Sequence, residues 1–149
     1  VGPDGADQDF VYADGWHEVK SVGVSASSVK ISSLEQLANS DPGELVIMRI
    51  DKCAPERSGA VSLGEQVDLI LARVHKDPDA LLLLESKLMH CGFMDLPEYR
   101  EQKYVCSGKM RFRIDADFPK LSAANVAPQI TETQYSISLA GIENWRMED

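Results

Sequence analysis

Residues 9–24 read DFVYADGWHEVKSVGV, and where their charges fall decides the fold. Runs of β-branched and aromatic residues flank Asp14-Gly15, a dipeptide that favours a tight hairpin turn. With that turn, Ala13 faces Trp16, Tyr12 faces His17, Val11 faces Glu18, Phe10 faces Val19 and Asp9 faces Lys20. Opposed residues share a face, and faces alternate along each strand. Asp9, Glu18 and Lys20 are therefore expected on one face. Phe10, Tyr12 and Val19 are expected on the other, core-facing side, and His17 is expected on the opposite face of the sheet from Glu18. A one-residue change in the loop would dismantle this arrangement.

An ammonium beside a pair of carboxylates is a chemical arrangement. Carboxylate oxygens are hard ligands suited to Mg²⁺ or Mn²⁺, and the Val19 backbone carbonyl could add another oxygen. Such a cation lowers the pKa of water and neutralises charge on a phosphate. Lys20 could position the attacking water and stabilise the charge that develops. The same three residues would also make an ordinary solvated cross-strand cluster, worth about a few tenths of a kcal/mol. Spacing alone fits both readings.

The rest of the chain reads as a mixed α/β (α+β) domain. SASS is a polar loop and VKIS a brief extension. SLEQLANS, 33–40, predicts a short helix, and ELVIMRI, 44–50, a buried central strand. Residues 63–76 place apolar side chains at helical spacing. A second helix starts at Asp77-Pro78, with Gly92 as its C-cap. Its LLLL run, 81–84, predicts burial on more than one side or a dimer surface. EQKYVCSGKMRFRID, 101–115, predicts a hairpin turning at Ser107-Gly108, and TQYSISLAGI, 133–142, a last strand.

With 149 residues, 44% hydrophobic and 26% charged, the chain is long enough for one domain with its own core. It starts at Val1 rather than Met, so a fragment of a longer protein, or a processed chain, is expected. No apolar run approaches the roughly 20 residues needed to span a bilayer. The cysteines, Cys53, Cys91 and Cys106, are odd in number and lack CxxC spacing, which suits a reduced, cytoplasmic setting. A net charge of −9 argues against a general DNA-binding module but not against an enzyme with a local basic patch.

Asp9-Phe10 followed by GWHEVKS resembles the D…ExK signature of the PD-(D/E)XK nuclease superfamily. The run GPDGADQDFVYADGWHEVKSVGVSASSVKISSLEQL, 2–37, resembles a bacterial family of PD-(D/E)XK motif proteins found in restriction and phage-defence gene clusters. The similarity continues through ELVIMRID, FPKL and the last strand. It implies a restriction-endonuclease-like mixed β-sheet flanked by helices, as a single domain over 1–149. It implies that Asp9 and Glu18 bind magnesium, that Lys20 serves the water, and that Gln36 stands near the scissile phosphate. Gln8 occupies the position of the motif's proline. The superfamily's first helix, which often carries a further acid, would precede Val1.

Further candidates for DNA contact are Ser25, Ser27 and Ser28 with Lys30, in or beside the loop after the ExK strand. Lys109, Arg111 and Arg113 alternate along one strand and could form a phosphate-tracking stripe. Trp16 could stack on a base or pack beside the sheet. The expectation is a Mg-dependent DNA endonuclease-like domain of a restriction or phage-defence system, acting alone, as a homodimer or with other subunits. The rival is a catalytically weak nuclease-fold interaction module of a multi-subunit complex. A sugar- or protein-binding α+β domain is the third reading.

Overall fold

The computed structural model describes residues 7–148, so the start of the 2–37 run lies outside the described residues. The elements are β1 (Phe10–Tyr12), β2 (Gly15–Val22), β3 (Ser28–Ile31), β4 (Gly43–Cys53), β5 (Val61–Ser62), α1 (Leu63–Val74), α2 (Pro78–His90), α3 (Pro97–Glu101), β6 (Lys103–Ile114) and β7 (Tyr135–Ser138). Short 3-10 turns lie at Glu35–Leu37 and Ala140–Trp145. A mixed five-stranded sheet runs β1-β2-β4-β6-β5, and β3 pairs with β7 in a separate ladder. β1 is antiparallel and β4 parallel to β2. The architecture is mixed α/β (α+β), as a restriction-endonuclease-like fold requires.

Two compact units divide the chain, 1–49 with 107–149, and 50–106. The first has its own core. Trp16, Leu45, Ile47, Phe112 and Ile114 from the sheet meet Val29, Ile31 and Ile137 from the β3–β7 ladder, with Leu37, Phe118, Leu139 and Ile142. The parallel register sets Trp16 beside Gly43 and Glu18 beside Leu45. A Cβ on Gly43 would lie 2.1 Å from the Trp16 ring, so only glycine lets the indole lie flat there.

The second unit holds α1, α2 and α3. Ser62 and Glu65 form a reciprocal capping box at the start of α1. Arg100 ties Asp68 of α1 to Asp95. As expected, Gly92 closes α2. Its φ is 71°, its N–H donates to the Met89 carbonyl, and the Phe93 N–H donates to that of Leu88.

Several local expectations are corrected. The β1–β2 turn is Ala13-Asp14, because Tyr12 pairs with Gly15, Val11 with Trp16 and Phe10 with His17. The register has slid by two residues, a full period, so face parity survives. The buried face is the other one: Trp16 is 1% exposed, whereas Phe10 and Tyr12 are 53% and 52% exposed. The cause is non-local, since the β3–β7 residues pack against the Trp16 side.

The 33–40 helix shrinks to the turn Glu35–Leu37. There the Gln36 and Asn39 side chains accept from the Ser32 and Asp41 amides, which competes with helical bonding. Residues 103–114 form one unbroken strand instead of a hairpin. Gly108 does not take a positive φ, so no type I′ or II′ turn forms at Ser107-Gly108. The last strand stops at Ser138, where the Ser138 hydroxyl accepts from the Gly141 N–H and the chain turns into a 3-10 helix. None of α2 is buried, and Leu82 and Leu83 of the LLLL run are exposed.

Candidate active site

β2 is buried at Trp16 and Glu18 and partly open at Lys20. Extending the observed register by one step brings Asp9 opposite Glu18. Asp9 Oδ2 accepts a hydrogen bond from the Val19 N–H at 2.9 Å, which fixes the acid at the edge of β2 just beyond the end of β1. Within a strand, the N–H and C=O of one residue point to the same edge, so the Val19 carbonyl faces this edge too.

Glu18 is fully buried. Lys20 Nζ lies 2.7 Å from Glu18 Oε1, a close ion contact. Among the described residues, neither buried Glu18 oxygen has a hydrogen-bond partner besides this ammonium. Burial pushes the Glu18 carboxyl above the usual glutamate range; Lys20 pulls it back, and the charge of Asp9 raises it further. That influence of Asp9 agrees with the two acids sharing one pocket.

Lys20 is held from a second side. Its Nζ donates to Gln36 Oε1 at 3.0 Å, and the same oxygen accepts from the Ser32 N–H at 2.8 Å. Gln36 is 5% exposed and sits in the 3-10 turn that follows β3. With Oε1 committed twice, the donor Nε2 is the group that the Gln36 amide has left to offer.

A divalent cation suits this chemistry. A buried carboxylate balanced by a single ammonium, with a second carboxylate nearby, is costly as an anion and is favoured when a further cation meets it. Among the described residues, no group of three or more His, Cys, Asp or Glu side chains assembles. A cation here would rest on two carboxylates, with the rest of its shell drawn from backbone, water or substrate oxygens, which is the habit of Mg²⁺ rather than of zinc.

The other candidates fall elsewhere. Ser25, Ser27 and Lys30 are exposed. The Ser27 carbonyl accepts from the Leu139 N–H, and Lys30 sits opposite Ser136 in the β3–β7 ladder, its side facing away from buried Val29 and Ile31. Lys109, Arg111 and Arg113 share a face of β6, but it is the face opposite buried Phe112 and Ile114. Arg111 grips Glu44 in a two-pronged bond of 2.9 and 2.8 Å, and Arg113 pairs with Asp115. His17 lies on this same reverse face, 3.6 Å from Glu44. Trp16 packs inside and donates from Nε1 to the Asp41 carbonyl at 2.8 Å.

Sequence reasoning missed Gln8 and Asn39. Gln8 is 6% exposed; its Nε2 donates to the Glu35 carbonyl at 2.7 Å and its Oε1 accepts from Asn39 Nδ2 at 3.2 Å. The one available signal was the departure from proline before Asp9.

A mixed sheet that sets an aspartate against a strand bearing glutamate and lysine two positions apart is the arrangement of PD-(D/E)XK nuclease-like proteins. The chain belongs to the family described as "Putative PD-(D/E)XK family member, (DUF4420)", whose model matches residues 1–140. No curated protein and no solved structure matches the chain.

Proposed function

We propose that this chain is a metal-dependent DNA endonuclease-like domain that hydrolyses phosphodiesters in a restriction or phage-defence setting. The observation that carries the reading is Glu18, a fully buried carboxylate whose one close charged partner among the described residues is the Lys20 ammonium, with Asp9 held at the same strand edge. Asp9, Glu18 and the Val19 carbonyl would hold Mg²⁺ or Mn²⁺. When bound, that ion would supply charge neutralisation at the phosphate and a more acidic water. Lys20, steadied by Gln36, orients the attacking water and offsets negative charge as the phosphate becomes pentacovalent. Gln36 Nε2 would donate towards a phosphate oxygen. No helix among the described residues is long and apolar enough to cross a membrane; in this reading the substrate is DNA and the setting cytoplasmic.

The test is plasmid nicking with Mg²⁺ or Mn²⁺ by the parent beside Lys20→Ala. Metal-dependent nicking by the parent, reduced about 100-fold or more in the variant, supports the assignment. Equal behaviour of the two proteins overturns it. That result would favour the second reading, an interaction module with little activity of its own, as a homodimer or with other subunits of a defence complex. One observation supports that rival: α2 has no buried residue and exposes Leu82, Leu83 and Met89.

A further inference from the structure

We infer that Gln8 is a positioning residue that sets where Asp9 stands relative to Glu18, so that restoring the motif's proline at this position would damage the site rather than improve it. The inference rests on the metal-site reading above.

Three separate stretches carry the site: the segment at Asp9, strand β2 with Glu18 and Lys20, and the 3-10 turn with Gln36. Asp9 lies just outside β1, so the β1–β2 ladder, which begins at Phe10, does not hold its backbone. Gln8 does. Its amide donates to the Glu35 carbonyl, next to Gln36, and accepts from Asn39. Asn39 in turn accepts from the Asp41 N–H at 3.0 Å. The Asp41 carbonyl accepts from Trp16 Nε1, two residues before Glu18. A continuous polar belt therefore joins all three stretches, and Gln8 is its link to Asp9.

Gln8 is nearly all buried, so its two bonds are made away from competing water, where an amide is costly to leave unpaired. A proline has neither the donor for Glu35 nor the acceptor for Asn39. Gln8 touches no reacting group in this arrangement. It acts through Asp9, as the residues behind a metal ligand commonly do, and their loss typically costs about 10- to 100-fold in metal affinity or activity.

The experiment compares the parent with Gln8→Leu, Gln8→Pro and Gln8→Glu. Melting temperature is followed across a Mn²⁺ titration, and plasmid nicking is measured at limiting and at saturating Mn²⁺. The expected result is a Mn²⁺ midpoint raised by about 10-fold or more in the leucine and proline variants, with nicking lost at limiting Mn²⁺ and partly regained at saturation. Gln8→Glu keeps the acceptor for Asn39 but loses the donor to Glu35. It is expected to shift the midpoint in the same direction, and it carries the test if the other two fail to fold. A lowered melting temperature with an unchanged Mn²⁺ midpoint would show mere packing and overturn the inference. A parent with no Mn²⁺ response at all overturns the metal-site reading and this inference together, whereas a responsive parent with unaltered variants overturns this inference alone.

Discussion

Glu18→Gln is expected to lower metal-dependent DNA cleavage by about three orders of magnitude or more while leaving DNA binding measurable. Losing a metal-ligand carboxylate forfeits several kcal/mol of transition-state stabilisation, and each 1.36 kcal/mol is about tenfold in rate. Because the substitution removes one charge and keeps the shape, its effect cannot be assigned to an emptied core. Stability should separate in the opposite sense. In the metal-free protein, burial raises the Glu18 carboxyl above its ordinary 4.5. The folded state therefore holds this proton more tightly than the unfolded state does. Across the interval from 4.5 up to the raised value, rising pH costs stability, and above it the full penalty remains. Glu18→Gln should flatten that pH dependence in metal-free buffer and abolish the stabilisation that Mg²⁺ gives the parent. Urea melts at acidic and neutral pH, with and without Mg²⁺, check both. A variant that still cleaves at the parental rate, or that still gains stability from Mg²⁺, would remove Glu18 from the site.

Gly43→Ala should cost about 3 kcal/mol in a urea melt and take cleavage down with it. The new Cβ would lie 2.1 Å from Cε2 and Cζ2 of Trp16, far inside any tolerated contact. The indole cannot step aside cheaply. It is 1% exposed, and its Nε1 is committed to the Asp41 carbonyl. β2 and β4 must separate or the ring must leave its rotamer, and Glu18 sits two residues along the same strand. Gly108→Ala makes the comparison, since a Cβ there would meet nothing within 4 Å. Equal, small effects at the two glycines would mean that the Trp16 side of the sheet is more compliant than its packing implies.

The local chemistry of the site was legible because a period of two is robust. A turn at Ala13-Asp14 in place of Asp14-Gly15 moves every partner along, yet Asp9, Glu18 and Lys20 keep one parity. The identity of the buried face was not legible, because it depends on elements distant in sequence. Phe10 and Tyr12 look like core residues until β7 and the Ala140–Trp145 turn bring Ile137, Leu139 and Ile142 to the other side. Gln36 could be picked from the family pattern, but its grip on Lys20 needs Ser32 and Lys20 in space together. The stripe Lys109, Arg111 and Arg113 shows a limit of the same kind. Alternation put the three on a common face, and only Glu44 and Asp115 reveal how far Arg111 and Arg113 are already neutralised.

Lys20 is wedged between two acceptors, with a side chain only 18% exposed, so it should react slowly with amine-reactive reagents, as should the ion-paired Lys103. Brief reductive methylation read by mass spectrometry is expected to tag exposed Lys30 well before Lys20. Gln36→Ala, by removing one of the two acceptors, should speed labelling of Lys20. The reagent would thereby become a reporter of whether the amine is still gripped, one that needs neither DNA nor an added ion.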